Sequence, residues 1–127
     1  MKVTRRVAFL ALVPAILLAA AGIQTAFGQQ VPPKGPVYKD VAPIFQARCI
    51  LCHAGPKAAK GLRMDTYDDI MKGGDQKALI PGEPQNSLIF QRITGAKTPR
   101  MPKNGPPFLS QAETALVEQW IKTGAPK

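Results

Sequence analysis

The sequence predicts an all-α domain of about four short helices joined by long loops. Three observations carry this. Apolar residues recur at three- and four-residue spacing in four separate stretches beyond residue 38, the period of one helix face. Capping residues, glycine or proline bound each stretch. No run shows a convincing strand pattern, and no segment repeats.

Asp40 is suited to cap the first helix, with Pro43 in its first turn, where a missing N–H costs nothing. Val41, Ile44, Phe45 and Cys49 follow at helical spacing, with Phe45 toward the core. Ala54 to Gly61 is a loop rich in Gly, Pro and Lys. Thr66 starts a second helix running through Ile70 and Met71, with Asp69 in a capping-box position and Gly73-Gly74 as its stop. Leu79 to Gly82 reads as a turn. Pro84 to Thr94 reads as a third helix with Leu88, Ile89, Arg92 and Ile93 on one stripe, ended by Gly95. Ala96 to Pro107 cannot be helical throughout, because Pro99, Pro102, Pro106 and Pro107 interrupt it. Ser110 and Glu113 form a capping box for the last helix, which carries Ala112, Ala115, Leu116, Trp120 and Ile121 and ends at Gly124.

The first helix runs into Cys49-Ile50-Leu51-Cys52-His53, which holds both cysteines and the single histidine of the chain. C-x-x-C-H is the attachment signature of a c-type haem. The thiols add to the haem vinyl groups as thioethers, and the imidazole supplies an axial ligand to iron. Residues three apart share a helix face, so both sulfurs reach one edge of a flat macrocycle. A thioredoxin-like dithiol needs a βαβ context that this pattern lacks. A structural zinc site needs four ligands, and the chain has only three Cys and His residues. A simple disulfide leaves His53 unexplained.

Lys2, Arg5 and Arg6 precede an uncharged, largely apolar run from Val7 to Ala21, and Ala26-Phe27-Gly28 offers small residues where a signal peptidase reads. This is the pattern of a secretory signal over residues 1–28, with Ala21 as a second cleavage position. An uncleaved membrane anchor is the alternative, but the run falls short of the roughly 20 residues a spanning helix needs. Arg5-Arg6 hints at twin-arginine export. The general secretory route fits better, because c-type haem is normally attached after export to the unfolded chain. The expected location is the periplasm. Residues 29–37, with Pro32, Pro33, Gly35 and Pro36, read as an extended linker, and 38–127 as one domain. Its core is modest, and a covalent haem adds a large apolar surface to it.

The whole chain carries a net charge of +9. Without Lys2, Arg5 and Arg6 there remain 14 basic against 8 acidic residues, a net +6. In an exported protein this charge points away from nucleic acid. Lys57, Lys60, Arg63, Lys97, Arg100 and Lys103 are scattered, and those flanking the motif and Met101 could steer an acidic redox partner or serve simply as solvated surface charge.

Iron in haem has a second axial position. No second histidine exists, and the cysteines are used as thioethers. Met64, Met71 and Met101 remain after the signal. Met71 lies near a helix end and reads as core packing. Met101 sits in a proline-stiffened loop, where little conformational freedom is lost on binding iron. It is the preferred ligand, with Met64 the competitor and an open or non-methionine site the remaining option. A Met/His pair raises the reduction potential and suits single-electron transfer.

Beyond the motif, further pieces carry a resemblance. They are Pro43-Ile44-Phe45-Gln46-Ala47-Arg48, Gly61-Leu62-Arg63-Met64-Asp65, Pro81-Gly82-Glu83-Pro84, Ser87-Leu88, Arg100-Met101-Pro102, and Leu116 to Ile121 with Gly124-Ala125. Over about residues 38 to 125 the chain resembles small class-I-like cytochromes c, particularly the planctomycete-type cytochrome c domain. The resemblance implies a cytochrome c fold in which the first and last helices cross near the haem edge, with Phe45 and Trp120 as candidates for the crossing. It implies one covalent haem c attached through Cys49 and Cys52, with His53 as proximal and Met101 as distal iron ligand. Relatives often carry leucine at the position of Met64.

The expected function is a periplasmic mono-haem electron carrier between redox proteins, with no small-molecule substrate and no catalytic residue. The alternatives are a haem subunit docked on a dehydrogenase, and an open-site haem enzyme or gas sensor with peroxidase-like activity.

Overall fold

The computed structural model describes residues 34–127; the signal over 1–28 and residues 29–33 of the linker lie outside them. Four α-helices make up the fold: α1 (Tyr38–Arg48), α2 (Tyr67–Lys72), α3 (Leu88–Thr94) and α4 (Gln111–Lys122). No strand occurs among the described residues, so the protein is all-α. None of the described helices is long and apolar enough to cross a membrane.

Helix α1 starts two residues before Asp40, with Val37 as its N-cap. Asp40 still caps, but from the third helical position, where its carboxylate accepts the Val37 N–H at 2.8 Å. Pro43 therefore falls inside the helix rather than in its first turn. Its exposed ring faces solvent, where the carbonyl left without an N–H partner can be hydrated. The Tyr38 N–H donates to the Pro126 carbonyl at 2.9 Å, joining the start of α1 to the end of the chain. Pro36 is already fully buried. Gly35 (φ +79°) passes so close to Thr123 that a Cβ there would lie 2.8 Å from its methyl group. Gly35 and Pro36, placed in the linker by the sequence, thus pack against the helices.

Helix α2 starts as its sequence indicates: the Thr66 hydroxyl accepts the Asp69 N–H at 3.2 Å. The stretch from Pro84 to Thr94 is not one helix. A single 3₁₀ turn over Pro84–Asn86 precedes α3, and the break falls at Ser87. Ser87 is completely buried, and its hydroxyl accepts the Ile80 N–H at 2.9 Å while lying 2.9 Å from the Glu83 carbonyl. A short hydroxyl that bonds nearby backbone competes with helix continuation. Gly95 closes α3 in the left-handed region at φ +86°, which favours glycine. At α4 the Ser110 hydroxyl accepts the Glu113 N–H at 3.2 Å, and the Glu113 carboxylate accepts the Ser110 N–H at 2.7 Å.

The core takes Val41, Ile44 and Phe45 from α1, Ile70 from α2, Ile89, Phe90 and Ile93 from α3, and Val117, Trp120 and Ile121 from α4. Two predicted stripes are rotated. Phe90 replaces Arg92 on α3, and Val117 replaces the exposed Ala112 and Ala115 on α4. Helices α1 and α4 meet through Phe45 and Trp120, whose rings stand edge to face at 5.8 Å between centroids, a favourable aromatic geometry.

Candidate haem site

Helix α1 delivers the motif. Beyond Arg48 the backbone continues as one tight turn, with the Cys52 and His53 N–H groups both donating to the Cys49 carbonyl, at 3.1 and 3.0 Å. This is the helical turn that the three-residue spacing required. Cys49 and Cys52 form no disulfide. Cys52 is exposed, while burial pushes the Cys49 thiol up to about 11, against a smaller opposing effect of Arg48.

His53 is oriented from behind. Its Nδ1 lies 3.1 Å from the Leu62 carbonyl oxygen. A carbonyl only accepts, so Nδ1 carries the proton and Nε2 keeps its lone pair for a metal. The Met64 N–H returns a bond to the His53 carbonyl at 2.7 Å. Asp65 holds the same loop: its carboxylate accepts from the Gly55 N–H at 3.3 Å and from Arg63 at 2.7 and 2.9 Å. The Arg63 hydrogen bond is the main reason that the Asp65 carboxyl sits below its ordinary range, with the Gly55 bond helping.

The loop after α3 supplies the other wall. Residues 96–101 are bound to α3 by the Met101 N–H on the Arg92 carbonyl (2.9 Å), the Lys97 N–H on the Gln91 carbonyl (3.0 Å) and Arg100 Nε on the Ile93 carbonyl (3.2 Å). The Arg100 guanidinium also lies 4.1 Å above the centre of the Phe108 ring, a cation–π contact.

These elements enclose a cavity of about 470 Å³ whose lining includes Cys49, Cys52, His53, Met101, Ile93 and Leu109. The size falls in the range of cofactor pockets, roughly 300–1,000 Å³. Two thiols, one imidazole with Nε2 available and one thioether on an otherwise largely apolar wall form the donor set of a c-type haem. Arg48 also lines the cavity, and its Nε is the one buried side-chain polar atom without a hydrogen-bond partner among the described residues. A buried unpaired donor in the wall is what an acceptor on a bound group would satisfy. The residues present therefore fit haem.

The four sequence-predicted site residues, Cys49, Cys52, His53 and Met101, come together on this one cavity. Met64 does not join them: it is 3 % exposed and packed in the core. Sequence reasoning missed the Leu62 carbonyl and Arg48. A backbone acceptor leaves no residue signature, and the one hint for Arg48 is a basic side chain immediately before the first cysteine.

Residues 49–105 match the family model described as Planctomycete cytochrome C, a span running from Cys49 past His53 and Met101. Comparisons with curated proteins and with solved structures give no match. The family implies haem c and haem-based electron transfer. With the matching span holding both cysteines, the histidine and the loop methionine of one cavity, the chain carries a cytochrome c domain of the planctomycete type.

Proposed function

We propose that the protein is a periplasmic mono-haem c-type cytochrome that carries single electrons between redox proteins. The observation that supports it best is that His53 and Met101 line the same cavity as Cys49 and Cys52. In this reading Cys49 and Cys52 would hold one haem as thioethers, and His53 Nε2 and the Met101 sulfur would be its protein ligands to iron. Bound there, haem c supplies a one-electron ferric–ferrous couple. His53 is kept in its metal-binding tautomer by the Leu62 carbonyl. The Met101 thioether favours ferrous over ferric iron and so raises the potential. With Met101 as a second protein ligand, the iron would be closed to peroxide and diatomic gases, which would set an electron carrier apart from an open-site haem enzyme.

Lys57, Lys60, Lys97 and Lys103 are exposed around the site. Such a field of positive charge suits transient docking by a partner with acidic surface. The basic, apolar and small-residue order of residues 1–28 supports the compartment.

Spectroscopy of the haem-loaded protein tests the reading. The oxidised form should show the weak far-red charge-transfer band of methionine-ligated ferric haem, and the reduced form should resist carbon monoxide. Rapid carbon monoxide binding at neutral pH would sink the carrier and favour the open-site alternative. Co-purification with a larger oxidoreductase would instead make the protein a subunit of that complex.

A further inference from the structure

Residues 96–101 are pinned to α3, but the second half of the same loop is held differently. Among the described residues, one hydrogen bond joins residues 102–109 to another element: Arg48 Nη2 donates to the Pro107 carbonyl. The bond spans 59 residues of sequence. It starts from the last residue of α1, next to Cys49, and ends in the loop that carries Met101. Leu109 adds an apolar anchor at the far end, since it is 7 % exposed in the core. Apart from Pro107, the residues from Pro102 to Phe108 have partners only within the loop, the Gly105 N–H on the Pro102 carbonyl and Phe108 under Arg100. Met101 thus stands where a segment anchored to α3 passes into one anchored to α1.

We propose that Arg48 is a positioning residue for Met101: its guanidinium fixes the distal loop to the helix that carries the cysteines. The distance between the haem-attachment edge and the thioether is then set by one side chain rather than by two independent loops. Two observations place the guanidinium at the site itself. Arg48 lines the cavity together with Cys49, Met101 and Pro107, and its Nε is buried in the wall. A thioether is a weak iron ligand, so the population of the ligand-off state depends on how firmly its loop is held. Hydrogen bonds to a charged donor are the stronger kind, and losing this one is expected to raise the ligand-off population on the order of tenfold.

The proposal rests on Met101 as distal ligand, and the experiment separates the two claims. The full-length haem-loaded protein is compared with Arg48→Gln, Arg48→Lys, Ser110→Ala and Met101→Ala. The readouts are the far-red methionine band of the oxidised form and the rate of carbon monoxide uptake by the reduced form, which methionine release limits. R48Q is expected to take up carbon monoxide on the order of tenfold faster. R48K, which keeps the charge and a single donor for Pro107, should fall between R48Q and the parent. Ser110→Ala weakens α4 without touching the tether and should keep the parental rate. Parental rates in R48Q and R48K, or an equal acceleration in Ser110→Ala, would overturn the proposal while leaving Met101 as ligand. Retention of the band in Met101→Ala would overturn the ligand assignment itself. If R48Q yields no haem-loaded protein, the R48K rate decides on the same criterion.

Discussion

His53 Nδ1 and the Leu62 carbonyl oxygen lie 3.1 Å apart, so the loop that follows the haem motif folds back to orient the imidazole. That loop is closed by Asp65, which receives the Gly55 N–H and the Arg63 guanidinium. Orientation of the His53 imidazole and closure of the loop are one arrangement, and it can be perturbed at Asp65 without touching His53.

Replacing Asp65 by asparagine should lower stability at neutral pH, with an effect that fades in acid. The Asp65 carboxyl lies below its ordinary range, chiefly through the Arg63 hydrogen bond. A depressed folded-state pKa contributes stability above the unfolded value, about 3.9 for Asp, and loses it as pH falls through the folded value. Denaturant unfolding of both proteins from pH 7 down to pH 3 checks this. A gap between them that stayed constant over that range would contradict it.

Met101→Ala and Met64→Ala should separate ligand from core. Met101→Ala should abolish the far-red band, open the reduced protein to carbon monoxide and lower the reduction potential on the order of 0.1 V or more. Met64 is 3 % exposed among core residues, so Met64→Ala should keep the band and cost about 2–5 kcal/mol of stability. Visible spectra, potentiometry and chemical unfolding provide the comparison.

Trp120→Ala should be the more damaging core truncation, at about 3–5 kcal/mol. Trp120 is completely buried, meets Phe45 across the α1–α4 crossing and donates Nε1–H to the Pro126 carbonyl at 2.9 Å. Trp120→Phe keeps most of the ring contact and loses that bond, so it should cost less, about 1–3 kcal/mol. Guanidinium unfolding of the haem-loaded variants gives both values.

Ser110→Ala removes one side of the capping box at α4 and should cost about 1 kcal/mol, seen as a lower denaturation midpoint with an unchanged haem spectrum.

How far the sequence could be read differs from element to element. Thr66 and Ser110 announced their helices, because a cap and its partner three residues on are a local chemical signal. Asp40 was legible as a capping residue but not as the third position of its helix, since an acidic side chain caps from either place. The break at Ser87 was invisible, because only the tertiary fold buries that hydroxyl beside the Ile80 and Glu83 backbone. The α3 and α4 stripes came out rotated because short helices tolerate small shifts of phase, and neighbouring elements decide which face is covered.

At the site, the spacing of Cys49, Cys52 and His53 was enough to put the three on one turn, since a turn needs only neighbours in sequence. The sequence alone also determined the all-α class, the exclusion of a second histidine and the short list of methionines. Tertiary structure decided which of these share a cavity. Met64 and Met101 are alike in chemistry, and the fold sends one into the core and sets the other in the cavity wall with His53. The acceptor for His53 and the tether from Arg48 to Pro107 were likewise decided there. Both use backbone carbonyls, which every residue possesses, so only their placement in space gives them a role.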